Sequence, residues 1–152
     1  MFVLHVITGI FIWTFIEYIQ HRFLFHMKAQ NRGALTTFHF VIHGMHHKVP
    51  FDKYRQTINP LGVAIIAFVF YQPIYLLEQY LPHTKLIYAG ILCGYLCYEM
   101  CHYYSHNATN ISFMKENKRY HLNHHFQQHR GKFGIFTRMW DDIFETFSHF
   151  IK

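Results

Sequence analysis

Residues 58–77 carry no charged side chain, and as an α-helix rising about 1.5 Å per residue this run matches the thickness of a bilayer's hydrocarbon core. It reads as a membrane-spanning helix, the clearest in the chain. Pro60, near its start, sits where the first helical turn tolerates a missing backbone donor. Two further runs support the same reading. In residues 2–16 only His5 can carry charge, and residues 86–101 are interrupted only by Glu99. The latter fits the returning arm of a helical hairpin, with Pro82 marking the turn. The expected spans are therefore about 2–20, 58–78 and 86–102. A buried helix of a soluble core is the alternative for runs of this kind, above all for the shorter third one.

The remaining segments, 21–57 and 103–152, are polar and rich in histidine and aromatic residues, long enough for several short helices that would cap the spans. Residues 135–150 alternate apolar and charged side chains and are expected to form either an amphipathic helix at the membrane surface, with Trp140 as its anchor, or an ordinary packing helix. With 152 residues and no linker-like stretch, one domain covering 1–152 is expected. A composition of 51% hydrophobic and 14% charged residues is too apolar for disorder. The formal charge of +6 comes from dispersed lysines and arginines without a nucleic-acid-binding motif, so no nucleic-acid partner is expected. Cys93, Cys97 and Cys101 recur on one face of the third span and read as small packing residues, not as a disulfide framework. The apolar stretch after Met1 lacks a basic start and runs into Glu17, unlike a cleavable signal.

Ten of the fifteen histidines fall into four clusters: His21 with His26, His43 with His46 and His47, His102 with His106, and His121 with His124 and His125. Positions three and four apart share a helix face, so each HxxHH cluster is expected to converge, as are His102 and His106. His21 and His26, five apart, lie about 140° around a regular helix, and both can reach one ion only if the helix ends or distorts between them. Imidazole suits zinc, iron, copper and nickel, and ten donors are enough for two ions but too many for one. His5, His83 and His149 read as structural bystanders, whereas His39 and His129 stay undecided. Glu17 and Glu99 precede His21 and His102 by four and three residues. Each could orient a ring N–H or be merely solvated near a helix end.

Two spans separate the second cluster from the third, which returns the chain to the side it left and places all four clusters on one face. Thirteen of the fourteen lysines and arginines fall on that face and only Lys85 on the other, so the positive-inside rule makes the histidine face cytosolic. The sequons at Asn107 and Asn110 would then stay unglycosylated. The fold class expected is an all-α integral membrane bundle with a cytosolic, histidine-rich helical cap holding a dimetal centre.

The motifs EYIQHRFLFH from Glu17, HGMHHKVPFD from His43, HYYSH from His102, HLNHH from His121 and FGIFTRMWD from Phe133 resemble the fatty acid hydroxylase superfamily, and within it the fatty acid 2-hydroxylases that make the hydroxylated acyl chains of ceramides. The resemblance covers nearly the whole chain. It implies one ion held by His21, His26, His43, His47 and His124 and a second by His46, His102, His106, His121 and His125. It also implies hydroxylation of a fatty acyl lipid or ceramide at the 2-position with dioxygen and external electrons, in the endoplasmic reticulum membrane, for sphingolipid synthesis. Relatives commonly carry a further span before the first histidine box and an N-terminal cytochrome b5 domain. Their lack would make this chain a fragment, or a short form drawing electrons from a separate donor such as cytochrome b5 and its reductase. Zinc has no accessible redox change, so iron is expected in the working enzyme, with zinc as a possible occupant. The rivals are a sterol oxidase or desaturase of the same superfamily, which the HGMHHKVPFD stretch disfavours, and a non-catalytic membrane zinc-binding protein.

Overall fold

A computed structural model describes residues 1–28, 33–58, 60–107 and 111–147. Among these residues the fold is all-helical. Helix α1 (Phe2–Ile19) runs unbroken into a π-helical turn, Gln20–Phe25, and α2 (Ala34–His39) passes through a second π turn, Phe40–Gly44, into α3 (Met45–Lys48). Helices α4 (Pro60–Leu77) and α5 (Thr84–His106) form the expected hairpin. A short 3-10 turn, Ser112–Met114, then leads into α6 (Lys115–Phe126), and α7 (Met139–Ile143) closes the described chain. At the tip of the hairpin the Glu78 carboxylate accepts from the Thr84 hydroxyl at 2.6 Å and the Lys85 N–H at 2.9 Å, and His83 adopts a left-handed conformation with φ of 73°.

The distribution of polarity is inverted. The buried residues are largely polar: eight of the ten clustered histidines, together with Glu17, Ser105, Asp141 and Thr146, are under 9% exposed, whereas the buried hydrophobics are Tyr18, Met114, Phe133 and Ile135. Phe11, Leu61 and Phe68 instead stand more than half exposed, and no residue of α4 is buried. A soluble protein would bury such a helix, so α4 is not the core helix of a soluble bundle. Helix α1 with its π turn and helix α4 are long and apolar enough to cross a membrane, and this is the pattern of a membrane protein. Helix α5, the third expected span, is the longest at 23 residues, but Glu99, His102, Ser105 and His106 make its last two turns polar.

The bundle is tied together where α1 and α5 cross. Gly9 and Gly90 bring the two backbones into contact: a Cβ at Gly9 would lie 2.0 Å from the Ile87 carbonyl oxygen, and one at Gly90 would lie 2.2 Å from that of Val6. One turn on, Gly94 accommodates the Trp13 side chain, whose Cβ would be 2.6 Å from an added methyl. Small residues four apart permit this approach, and in lipid the close packing supplies association that a hydrophobic driving force cannot. Helix α4 is held to α5 by the Tyr88 hydroxyl donating to the Ala67 carbonyl at 2.5 Å.

The cysteines are free, as expected, with Cys93 exposed and Cys97 and Cys101 half-buried. One expectation is corrected. Residues 135–150 do not form one long helix. Among the described residues of this stretch only Met139–Ile143 is helical, and the N–H groups of Ile135 and Phe136 bond the Glu17 carboxylate instead, at 2.6 and 3.0 Å. Residues 148–150 lie outside the described chain. Trp140 packs against Phe11 and Phe15 of α1 and donates its indole N–H to the Thr14 hydroxyl at 2.9 Å.

Candidate metal centre

The π turn after α1 solves the spacing problem of His21 and His26. A π-helix bonds each N–H to the carbonyl five residues back, and the His26 N–H reaches the His21 carbonyl at 3.2 Å. The wider turn brings the two imidazoles to one side, with their Nε2 atoms 3.3 Å apart. A second π turn precedes α3, where the Met45 N–H bonds the Phe40 carbonyl, and His43 lies beside His47.

Ten histidines gather into two groups of five. One contains His21, His26, His43, His47 and His124, the other His46, His102, His106, His121 and His125, and within each group the five ring nitrogens that face inward lie within 4.8 Å of one another. These are the two sets implied by the sequence resemblance. The expectation that each HxxHH cluster converges as a unit is corrected, because both clusters straddle the two groups. His43 and His47 join the first group and His46 the second, whereas His121 and His125 join the second and His124 the first. Side chains three and four residues apart on one helix diverge enough to face neighbouring points, so α3 and α6 each serve both groups. The His47 and His125 rings stack across the boundary with centroids 4.1 Å apart.

The nitrogen-to-nitrogen distances test what such a group can hold. Nε2 of His124 is 2.9 Å from that of His26 and 3.3 Å from that of His47, and His43 is 3.0 Å from His47. In the second group the separations are 2.7 Å for His106 to His121, 3.0 Å for His102 to His46 and 3.1 Å for His46 to His125. In the first group they are not a closed network of hydrogen bonds. The Nδ1 of His21 and of His124 face the carbonyl oxygens of Phe133 at 2.5 Å and Gly131 at 2.6 Å. These nitrogens therefore carry the protons, leaving Nε2 as a lone pair directed at other imidazole nitrogens. Donors spaced about 3 Å apart are what imidazoles about 2.1 Å from a common ion present, and each group fits one first-row transition ion.

Burial and then the proximity of like groups keep these rings neutral. Burial holds His46 and His124 at about 4, below the ordinary 6.5. It depresses His43, His47, His121 and His125 as well, with neighbouring imidazoles adding to the effect. A neutral imidazole is the form that ligates a metal.

Neither glutamate touches a ligand ring as expected. Glu99 accepts from the Tyr95 hydroxyl at 2.6 Å. Glu17 is 3% exposed, which also overturns its reading as a solvated helix end, and it holds residues 135–136, two beyond the carbonyl that receives the His21 proton. Asp141, fully buried, accepts from the N–H groups of Phe133 at 2.9 Å and Gly134 at 2.7 Å and from the Thr146 hydroxyl at 2.6 Å. Sequence reasoning singled out the stretch from Phe133 as a motif but missed the role of this loop, because a backbone carbonyl leaves no side-chain signature. Its glycines were the available clue: a Cβ at Gly131 would lie 2.6 Å from the Thr146 carbonyl and one at Gly134 2.1 Å from that of Thr137.

The undecided histidines join neither group. His129 is exposed, with its ring 5.6 Å from that of His47, and His39 lies beside Gly44. His5 and His83 face each other with ring centroids 4.8 Å apart, about 24 Å from His21 along the helix. His149 lies outside the described residues.

The fold and the site together define a helical membrane protein that gathers ten imidazoles into two metal-sized groups where its apolar helices end. The fatty acid hydroxylase family model matches residues 6–146, and the chain belongs to that family. It is 42% identical over 145 residues to a fatty acid 2-hydroxylase of Mus musculus, covering 92% of this chain and 38% of that one. It is 40% identical to the ceramide very long chain fatty acid hydroxylase SCS7 of Saccharomyces cerevisiae, with coverage of 92% and 37%. To the dihydroceramide fatty acyl 2-hydroxylase FAH1 of Arabidopsis thaliana it is 41% identical, with coverage of 93% and 59%. A solved structure described as full-length scs7p, with only the hydroxylase domain visible, superposes with a TM-score of 0.84 at 37% identity, covering 94% of this chain and 55% of that one. The chain thus spans between about two-fifths and three-fifths of the length of these relatives.

Proposed function

We propose that this chain is the hydroxylase domain of a dimetal monooxygenase that inserts oxygen at the 2-position of a fatty acyl chain destined for ceramide or another sphingolipid. The observation that carries this reading is the pair of buried five-histidine groups at the ends of apolar helices, in a family whose relatives are named for that reaction. His21, His26, His43, His47 and His124 hold one ion and His46, His102, His106, His121 and His125 the other. When bound, a redox-active pair, iron in our reading, supplies the activation of dioxygen that breaking an unactivated C–H bond demands, which zinc cannot do. One oxygen atom enters the product as its hydroxyl and the other leaves as water, with two protons and two electrons from a separate donor such as cytochrome b5.

The chain's own residues supply position and environment. The helices place the acyl tail in the apolar layer and the histidine cap receives its head, so the carbon next to the carboxyl group lies near the metals without a search. The buried neutral imidazoles offer lone pairs and exclude water. The placement of basic residues supports a cytosolic cap, and membership in a lipid-modifying family supports a location in the endoplasmic reticulum membrane. The test is lipid mass spectrometry on cells expressing the chain, paired with elemental analysis of the purified protein. We expect 2-hydroxy acyl products that track iron content at two ions per chain. Full turnover by an iron-free, zinc-loaded preparation would overturn the metal assignment, and absence of 2-hydroxy lipid with both sites filled by iron would overturn the reaction.

A further inference from the structure

The two histidine groups are supported differently, and the difference lies in residues 131–136. This loop presents the Gly131 carbonyl to Nδ1 of His124 and the Phe133 carbonyl to Nδ1 of His21, and both rings belong to the first group. No ring of the second group donates a hydrogen bond to the loop. The Arg55 and Gln56 carbonyls instead stand beside His46 and His102, from a different part of the chain. The loop has no regular structure of its own and is held at its middle and its far end by two buried carboxylates. Asp141 binds the N–H groups of Phe133 and Gly134, and Glu17 those of Ile135 and Phe136. Asp141 also receives the Thr146 hydroxyl, Thr146 in turn accepts from Lys132 N–H at 2.9 Å through its carbonyl, and its hydroxyl oxygen lies 3.1 Å from the Tyr18 hydroxyl.

We propose that Asp141 is a positioning residue for one metal site only: by clamping residues 131–136 it sets the two carbonyls that orient His21 and His124, and so governs how tightly the first ion is held without governing the second. This rests on the ligand assignment proposed above. Partners of ligating histidines fix the tautomer and the ring direction, and losing one typically weakens metal binding about 10- to 100-fold. An amide at position 141 keeps the volume but turns an NH2 toward donors that need an acceptor, so at least one loop N–H is stranded.

The experiment measures metal per chain, and the rate at which each ion passes to a chelator, on the full purified chain. Asp141→Asn should release one ion about 10- to 100-fold faster and the other at the unaltered rate, and Glu17→Ala, which frees the far end of the loop, should speed the same ion. Site identity comes from combinations. Asp141→Asn should accelerate release of the single ion left in His121→Ala and leave unchanged the single ion left in His26→Ala. A merely structural role would speed both ions together, as would any general loosening, and that result, or no change in either, overturns the proposal. Thr14→Ala, which removes the Trp140 hydrogen bond beside the loop, is the control and should not separate the two rates. If His26→Ala and His121→Ala do not each lose one ion, the ligand assignment itself is wrong and the proposal falls with it; if they do, failure in Asp141→Asn counts against the clamp alone.

Discussion

Replacing Gly9 by alanine adds a single methyl group, and the structure sets what that methyl must displace. It would lie 2.0 Å from the Ile87 carbonyl oxygen and 2.8 Å from Gly90 Cα and Ile91 N, all backbone atoms of α5 that no rotamer change can move. A carbon-to-oxygen contact settles at about 3.3 Å, so α1 must retreat from α5 by about 1 Å or more. That shift travels with the helix. His21 and His26 follow α1 without a break, and their nitrogens meet His124 and each other at 2.9 and 3.3 Å, so a displacement of this size pulls the first group out of register with its other members. Overpacking alone costs about 1–3 kcal/mol. Gly62→Ala is the matched comparison, because its methyl meets only the Ile58 side chain at 3.5 Å and gains about 0.5–1 kcal/mol of helix propensity. In detergent we expect Gly9→Ala to lower the unfolding temperature, lose metal from the first group and lose 2-hydroxy product, while Gly62→Ala is neutral or mildly stabilising. Wild-type unfolding and metal content in Gly9→Ala would show that the helices do not touch where the glycines meet, and would refute the account of the crossing.

Alanine at His47 or His124 should abolish hydroxylation and lower bound metal, whereas alanine at His5 or His83 should leave both nearly unchanged; hydroxylation and metal content of each variant at matched expression decide this. The histidine face should be cytosolic, so Asn107 in the natural sequence should carry no carbohydrate, and a glycosylated Asn107 would reverse the topology. After chelation, the unfolding midpoint should be flat above about pH 7 and fall as the pH drops from 6.5 toward 4. Burial lowers His46 and His124 to about 4 in the folded chain, so across that window the unfolded chain binds more protons and stability is lost. A midpoint unchanged down to pH 4 would mean that burial does not hold the rings neutral.

Much of this arrangement was legible because the chemistry leaves periodic marks. The uncharged stretch with Pro60 at its head announces a helix that begins at Pro60, and five-residue spacing between His21 and His26 demands a distortion that the structure supplies as a π turn. That demand is readable because 3.6 residues per turn brings both rings to one point only if the helix ends or distorts between them. The second π turn has no such mark. His43 and His47 are four apart and would share a face on an ordinary helix, so nothing in their spacing asks for the distortion at Phe40–Gly44.

Convergence misled for a related reason. A shared helix face is an arc about 100° wide, broad enough to serve two ions a few ångströms apart, and spacing alone cannot say whether three neighbouring rings meet at one point or two. His46 and His124 are divided from their cluster partners by what lies opposite them, His102 and His125 for the one and His21 and His26 for the other, and those residues come from distant parts of the chain. The glutamates were misplaced by the same locality. Counting four residues from Glu17 to His21 assumes that a carboxylate serves its own helix, yet Glu17 reaches 118 residues ahead to Ile135, because irregular backbone buried at the end of a bundle must find acceptors for its N–H groups. Once residues 131–136 are fixed by that need, their carbonyls become the natural acceptors for the histidine protons. A side-chain carboxylate on each ring is then unnecessary, and the acid sits one hydrogen bond further from the metal than the spacing suggests.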